Sequence, residues 1–166
     1  MTEIAELVAR GALIGIGGAA LMDVWAWFLR HRFGVRGLDY ALLGRWIGHF
    51  ARGRFVHERI AAAEPIRWER PLGWLAHYAI GITFSYVLLA VWGLGWARSP
   101  TIAPALLVGL GTIAAPWLVM QPAMGAGFAA SNAPDPRAAR LRNVATHLVY
   151  GIGLFGSATV LVALGA

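Results

Sequence analysis

Four long apolar stretches are separated along the chain by three connections. The first connection is long and arginine-rich, and the other two are shorter and polar. The stretches run from about residues 4–29, 71–96, 101–128 and 141–165. Each is long enough to cross about 30 Å of hydrocarbon as a helix, and none has the alternating pattern of a membrane β-strand. The pattern predicts an all-α integral membrane protein, a four-transmembrane-helix bundle that forms one domain over residues 1–166.

The connection between the first two stretches has an apolar face of its own. Its large apolar side chains recur at four-residue spacing: Leu38, Leu42, Trp46 and Phe50. This spacing predicts an amphipathic helix over residues 38–51, with Arg45, His49 and Arg52 toward its polar side. We expect the helix to lie in the lipid headgroup region. A solvated helix packed on the rest of the protein is the alternative.

Small residues recur at every fourth position in the first apolar stretch. Gly11, Gly15, Ala19 and Asp23 fall on one stripe of a helix. Small residues at this spacing let a second helix approach backbone to backbone. The stripe therefore predicts a helix-packing seam that directs Asp23 into the protein interior.

A weak internal repeat relates the second and fourth stretches at an offset of 70 residues. It aligns Arg70, His77 and Gly81 with Arg140, His147 and Gly151. The first and third stretches share Gly15-Ile-Gly17 and Gly109-Leu-Gly111. The pattern predicts two parallel-repeat hairpins related by an axis along the membrane normal. Gly81 and Gly151 are then expected to pack helices in the same way.

Composition and charge support a membrane assignment. The chain is 58% hydrophobic and 13% charged, with too little charge for the surface of a soluble domain. Its net charge of +6 comes from arginine alone, and twelve of the fourteen arginines lie in the first and third connections. Positive residues favour the cytoplasmic side, so we expect a multi-pass protein of the bacterial inner membrane with both termini outside.

Three ionisable side chains lie at one depth when counted from the arginines at the membrane edge. Asp23 is seven residues before Arg30, His77 seven after Arg70, and His147 seven after Arg140. At about 1.5 Å per residue, each lies roughly 10 Å inside that edge. Ionisable groups at this depth usually face the protein interior. The spacing predicts a buried Asp23/His77/His147 site near the cytoplasmic leaflet.

Several chemistries fit such a site, and the residues leave them open. Two histidines and a carboxylate are able to ligate iron, zinc or manganese. Two histidines are also able to bind haem axially, and the three groups together are able to exchange protons. The alternative is that each side chain has only a structural hydrogen bond. His77 would then bond a main-chain carbonyl or Ser85, and His147 would bond Asn143 or Tyr150. Asp23 would accept from a tryptophan or a tyrosine.

The third stretch contains two internal prolines, Pro116 and Pro122. Each removes a helical hydrogen bond and pushes against the preceding turn, so we expect a kinked or partly unwound segment. Met120 and Gln121 reach the depth of the ionisable groups, and with Asn143 they are expected to form the adjoining wall of the site.

Two histidines of the first connection and the absence of known catalytic motifs limit the functions that the sequence allows. His49 and His57 lie outside the apolar stretches, where we expect surface positions or a role in metal delivery. The chain has no cysteine and lacks the glycine-rich and catalytic motifs of nucleotide-binding and hydrolytic enzymes. Enzymatic activity is therefore disfavoured, and nucleic-acid binding has no support beyond charge. The rivals to a metal, haem or proton site are a small oligomeric transporter or channel and an accessory subunit of a larger membrane complex.

The chain resembles an uncharacterised family of small bacterial membrane proteins, catalogued as domain of unknown function 2938. The matching stretches are Leu38-Asp-Tyr-Ala-Leu-Leu-Gly-Arg-Trp-Ile-Gly-His49, Gly73-Trp-Leu-Ala-His77-Tyr-Ala-Ile-Gly81 and Met120-Gln-Pro-Ala-Met-Gly-Ala-Gly127. The last apolar stretch is similar to the family's last span from Ala138 to Gly151. The resemblance implies an inner-membrane protein surrounded by lipid. It implies no activity, substrate or cofactor.

Overall fold

The computed structural model describes residues 2–35 and 37–165, which contain helices and turns but no β-strand. The helices in chain order are α1 (Glu3–Phe33), α2 (Tyr40–Gly48), 3-10 helices His49–Arg52 and Ile60–Ala62, α3 (Glu69–Arg98), α4 (Ile102–Gly111), a π-helix (Ala115–Met120), α5 (Gln121–Ala123), a 3-10 helix Phe128–Ala130, and α6 (Pro136–Ala163).

Four helical segments are long and apolar enough to cross a membrane, which confirms the predicted number. They are Glu3–Phe33, Glu69–Arg98, Ile102–Ala123 and Pro136–Ala163. The third ends five residues before the predicted boundary, because the chain turns at Met124 and Gly125, which has a φ of 89°. The fourth begins five residues early, because Pro136 is well tolerated in a first helical turn.

The described chain divides into two compact units. Among the described residues, the first unit comprises 2–35, 78–112 and 145–165, and the second comprises 37–77 and 113–144. Each unit is therefore assembled from segments that are distant in sequence. Whether the chain behaves as a single domain, as the sequence predicts, stays a prediction.

Glycines set the helix crossings of the first unit. Gly15 of α1 faces α3, where a Cβ atom would lie 2.9 Å from the carbonyl oxygen of Gly81. Gly151 of α6 faces α4 in the same way, 2.7 Å from the carbonyl oxygen of Ala105. Distances this short leave no room for a methyl group, so both crossings require glycine. The repeat alignment pairs Gly15 with Gly109 and Gly81 with Gly151, which are the glycines at these two crossings. The repeat itself stays a prediction.

The other members of the predicted seam lie in the same core. Ala19 is fully buried beside Gly81, and a Cβ atom at Gly11 would overlap the ring of Tyr86. Large apolar side chains fill the space around these close approaches: Ile14, Leu88, Leu89, Trp96, Tyr150 and Leu154. Two polar groups are tied into this core, since Tyr150 donates to the Gly81 carbonyl at 2.6 Å and Ser85 donates to the Gly11 carbonyl.

Close backbone approach recurs in the second unit. A Cβ atom at Gly44 of α2 would overlap the carbonyl oxygen of Glu69, and one at Gly73 would overlap that of Tyr40. The predicted helix over residues 38–51 is correspondingly shorter, because Asp39 caps α2 by accepting from the Ala41 amide and the chain tightens into a 3-10 helix at His49.

The polar side of that helix was predicted wrongly for Arg45 and His49, whereas Arg52 is exposed as expected. Arg45 forms a two-pronged ion pair with Glu69, at 2.8 and 2.9 Å, and donates to the main-chain carbonyl of Ala63 at 3.0 Å. His49 is fully buried. Both side chains turn inward because the second unit supplies hydrogen-bond partners that the helical spacing alone does not reveal.

The proline-containing segment is irregular, as expected, but it is not unwound. Residues Ala115–Met120 form a π-helix that leads into α5. Widening the turn accommodates the missing amide of Pro116 without breaking the helix. Such π segments occur frequently at functional sites.

Candidate functional site

Asp23 lies on α1 and has a tyrosine partner on α3. The Tyr78 hydroxyl donates to Asp23 Oδ2 at 2.9 Å. The two residues belong to helices that cross at Gly15 and Gly81. Asp23 is about two turns from Gly15 and Tyr78 about one turn from Gly81, so the glycine contact fixes the spacing at which this pair meets. The arrangement corresponds to the structural alternative of a tyrosine that caps the carboxyl group, and it provides a carboxyl group with a fixed hydrogen-bond donor.

His147 lies on α6 and is held by the end of α4. Thr112 Oγ1 lies 2.7 Å from His147 Nδ1 and 2.6 Å from the Gly109 carbonyl oxygen. When the threonine hydroxyl donates to that carbonyl, the imidazole must donate from Nδ1 to the threonine oxygen. Nε2 is then the unprotonated nitrogen of a neutral ring. The partner is therefore neither Asn143 nor Tyr150, the two residues that the sequence suggested.

His77 belongs to the second unit and sits among aromatic rings. Its Nε2 lies 3.2 Å from the hydroxyl of Tyr40, and the two rings stack with centroids 4.4 Å apart. Trp74 contacts the imidazole edge-on, with centroids 6.1 Å apart. Ser85, the partner suggested by the sequence, instead bonds main-chain carbonyls of the first unit.

The predicted three-ligand metal site is not supported by the structure. Among residues 2–35 and 37–165, no group of three or more His, Cys, Asp or Glu side chains is arranged to hold a metal ion. Hydrogen bonds explain this result in part, since Tyr78, Tyr40 and Thr112 each engage one of the three predicted ligands. Axial haem ligation is also disfavoured for His77, because Tyr40 engages its Nε2 nitrogen.

The predicted wall residues lie in the second unit. Met120 ends the π-helix, Gln121 begins α5, and Asn143 lies in the first third of α6. Gln121 Oε1 and Asn143 Nδ2 are buried without a hydrogen-bond partner in the described part of the chain, as is Trp117 Nε1 of the π-helix. Whether these residues adjoin the three ionisable side chains stays a prediction.

A second pair of histidines was missed as a site. His49 Nδ1 lies 2.7 Å from His57 Nε2, and His49 Nε2 lies 3.0 Å from the main-chain oxygen of Glu64. The sequence placed both histidines at the surface. Their eight-residue separation gave a weak signal, because it spans a helix end and a turn at Gly53 that no helical periodicity covers.

The environment of His57 opposes its protonation. Burial lowers the pKa of His57 below its ordinary value, and the nearby His49 and Arg54 add to this effect. The carboxylate of Glu69, by contrast, raises the pKa of Arg45 and keeps that guanidinium charged. Arg45 thus stays charged, whereas His57 favours its neutral form.

A family model matches the chain over residues 12–161, which is most of its length. The chain belongs to the family described as Protein of unknown function (DUF2938). This result confirms the resemblance seen in the sequence. No curated protein and no solved structure matches the chain. The DUF2938 description carries no activity, so the function must be argued from the side chains.

Proposed function

We propose that this DUF2938 protein is a multi-pass protein of the bacterial inner membrane in which Asp23 takes up and releases a proton. The proposal rests on the hydrogen bond from Tyr78 to Asp23, which joins two helices that are long and apolar enough to span a membrane. Ionisable side chains are costly in hydrocarbon and are most often functional there. A donor hydroxyl lowers that cost for the charged carboxylate.

The proton is favoured over the other two ligands considered from the sequence. A metal ion needs several ligands at once, and haem needs imidazole nitrogens that are not engaged by other groups. Proton exchange needs only a carboxyl group and a hydrogen-bond partner, and His77 and His147 supply further groups able to carry a proton. The pairing with Tyr78 therefore supports proton exchange more than ligation.

The proposed membrane setting rests on the exposed surface of the helices and on the arginines. Several large apolar side chains of the first unit are exposed, among them Val24, Val91 and Leu107, as expected for side chains that face lipid. The positive-inside rule favours the arginine-rich connections in the cytoplasm and both termini outside. Membrane lipids are then the immediate partners.

Infrared difference spectroscopy between acidic and neutral pH tests the proton site in reconstituted protein. We expect the carbonyl stretch of a protonated carboxyl group to appear on acidification and to be absent in the Asp23→Asn variant. Glu3→Gln, which removes an exposed carboxyl group in the first turn of α1, is the matched control and leaves the Asp23 band in place. Identical difference spectra of the wild type and Asp23→Asn contradict the proposal, since the other seven acidic side chains contribute equally to both.

A second candidate function is favoured by an apolar groove in the first unit. The groove lies between α1 and α6, has a volume of about 600 Å³, and includes Gly17, Gly153 and Gly156 in its walls. Small residues are typical of helix-helix interfaces in membranes. The groove suits a second copy of the chain, as an oligomeric transporter or channel requires, or a helix of a larger complex that this protein would stabilise.

Gly156→Leu tests this second function without disturbing the fold, because a Cβ atom at Gly156 has no neighbour within 4 Å. Gly111→Leu is the matched control, since Gly111 is equally open and does not line the groove. An interface in the groove predicts that crosslinked oligomers or a stoichiometric partner are lost only in Gly156→Leu. Equal association of both variants excludes the groove as the interface.

A further inference from the structure

The second unit holds a histidine pair in which His49 is buried and His57 is half-buried. The proton positions of the pair are determined by its hydrogen-bond partners. The main-chain oxygen of Glu64 is only an acceptor, so His49 Nε2 must donate to it. In a neutral His49 the other nitrogen, Nδ1, is then an acceptor, and His57 Nε2 must donate to it at 2.7 Å. The chain of donors leaves His57 Nδ1 as an unprotonated nitrogen.

That last nitrogen is enclosed. His57 Nδ1 is buried and has no hydrogen-bond partner among the residues that the structure describes. It is the single nitrogen of the pair at which one proton is able to add without breaking a hydrogen bond. A proton there, however, creates a buried charge and a buried N–H group that lacks an acceptor, and both are unfavourable.

His57 also begins a short segment that docks on the end of the third membrane-crossing helix. Its main-chain amide donates to the Ala123 carbonyl at 2.8 Å, and the Ile60 amide donates to the Met124 carbonyl at 3.1 Å. Ile60 and Met124 are both buried. Glu58 lies so close to Gly125 that a Cβ atom added at Gly125 would overlap the carbonyl oxygen of Glu58. We call residues 57–60 the docking segment.

We propose that His49 and His57 form a proton-binding site that holds the docking segment on the third helix when neutral and releases it when His57 Nδ1 is protonated. This site is separate from Asp23 and does not depend on the function proposed for Asp23. It makes the arginine-rich connection of this protein sensitive to pH.

The other charges around the pair support release on protonation. Arg54, on the same connection, opposes a positive charge on His57. Arg52 and Glu64 form an exposed ion pair at 2.9 Å, so their charges largely compensate each other. Glu58 and Arg59 of the segment itself are exposed to solvent, and the residues that receive the segment, 123–125, carry no titratable group.

The sign of the pH dependence follows from the lowered pKa of His57. The docked state disfavours the protonated ring, so docking is strongest above the ordinary histidine pKa of about 6.5. It weakens as the pH falls from that value toward the lower pKa of the docked form. If release raises the pKa of His57 by one unit, acidification lowers the protection of the docked amides about tenfold.

Hydrogen-deuterium exchange of the full chain in lipid nanodiscs tests the proposal between pH 5 and 8, after correction for intrinsic exchange. We expect the amides of His57 and Ile60 to lose protection severalfold on acidification. His57→Gln removes the titrating ring but keeps a donor for His49, and its protection should not change with pH. His31→Gln, in the exposed last turn of α1, is the control and should behave as the wild type.

Constant protection in the wild type, or an unchanged pH dependence in His57→Gln, overturns the proposal. Imidazole ¹⁵N NMR of the wild type provides a second measurement that needs no variant. It should show protonated Nε2 and unprotonated Nδ1 on both histidines at neutral pH. A protonated Nδ1 on His57 at neutral pH contradicts the proposed site even if His57→Gln fails to fold.

Discussion

Hydroxyl groups are the partners of the ionisable side chains that the sequence placed within the membrane. Tyr78 pairs with Asp23, Tyr40 with His77, and Thr112 with His147. A hydroxyl group serves as donor or acceptor as the protonation state of its partner requires. These pairs therefore tolerate a change of protonation better than a fixed ion pair, which is why proton exchange suits them.

Arginines in the connection differ in importance according to burial. Arg45 and Glu69 have side chains that are only 11% and 20% exposed, whereas Arg52 and Glu64 are 55% and 69% exposed. We expect Arg45→Ala to destabilise the fold by about 3 kcal/mol, because it leaves Glu69 without its charged partner. Thermal unfolding in detergent measures the change.

The matched variant Arg52→Ala should cost no more than about 1 kcal/mol, since exposed ion pairs contribute little. Equal destabilisation by the two substitutions would show that Arg45 does not organise the connection. The comparison holds the residue type and the loss of one positive charge constant.

The sequence located individual ionisable residues better than their partners. Asp23, His77 and His147 were identified because charge is rare in apolar stretches. Of their hydroxyl partners, only an unspecified tyrosine for Asp23 was among the alternatives, since tyrosine and threonine are common in membrane helices and their spacing does not identify them. His49 was misplaced for a related reason: spacing along one helix cannot reveal that His57 and Glu64 fold back over it.

Among whole elements, glycine spacing was the most informative feature of the sequence. Gly15 and Gly81 lie at one helix crossing, and Gly109 and Gly151 lie at another. Four-residue spacing of small residues reports directly on close backbone approach. The crossing of α2 and α3 at Gly44 and Gly73 was missed, because the prediction for α2 rested on the spacing of its large apolar residues.

One helix break had no signal in the sequence. Gly93 interrupts α3 with a φ of 74°, a left-handed conformation that glycine adopts without strain. Gly95 lies two residues further on, has no such φ, and is equally free of neighbours within 4 Å. The two glycines therefore separate the effect of backbone conformation from that of space.

We expect Gly93→Ala to destabilise the protein by about 1–2 kcal/mol, because an L-residue is strained in the left-handed region. Gly95→Ala should be neutral or stabilising by up to about 1 kcal/mol, since alanine favours the helix. Thermal unfolding of both variants makes the comparison. A loss of stability in Gly95→Ala alone would contradict the assigned break.

For the whole molecule, hydropathy alone predicted the number of helices that are long and apolar enough to cross a membrane. Runs of apolar residues longer than 20 positions leave little ambiguity, and the four helices follow them closely. Their grouping into two compact units was not predictable, since each unit joins segments far apart in sequence. The kind of irregularity at Pro116 was likewise open, because a kink and a π-helix relieve the same clash.

Orientation is the prediction that belongs to this scale. The arginine distribution predicts that both termini lie outside and that both arginine-rich connections lie inside. Alkaline phosphatase fused after the last helix should therefore be active, and fluorescent protein fused there should be dark. Fusions within residues 53–57 should show the opposite pattern. The exchanged pattern of activities, or a mixed one, contradicts the proposed topology.

The most direct test of the account is the pH titration of the Asp23 carboxyl band in wild type, Tyr78→Phe and Tyr86→Phe. Tyr86 lies two turns from Tyr78 on α3 and donates to the Val8 carbonyl, which does not titrate. We predict that the midpoint of this titration changes only in Tyr78→Phe, because the Asp23 carboxyl group loses its hydrogen-bond donor. Identical midpoints in all three proteins, or no titrating Asp23 band, would contradict a proton site built on this pair.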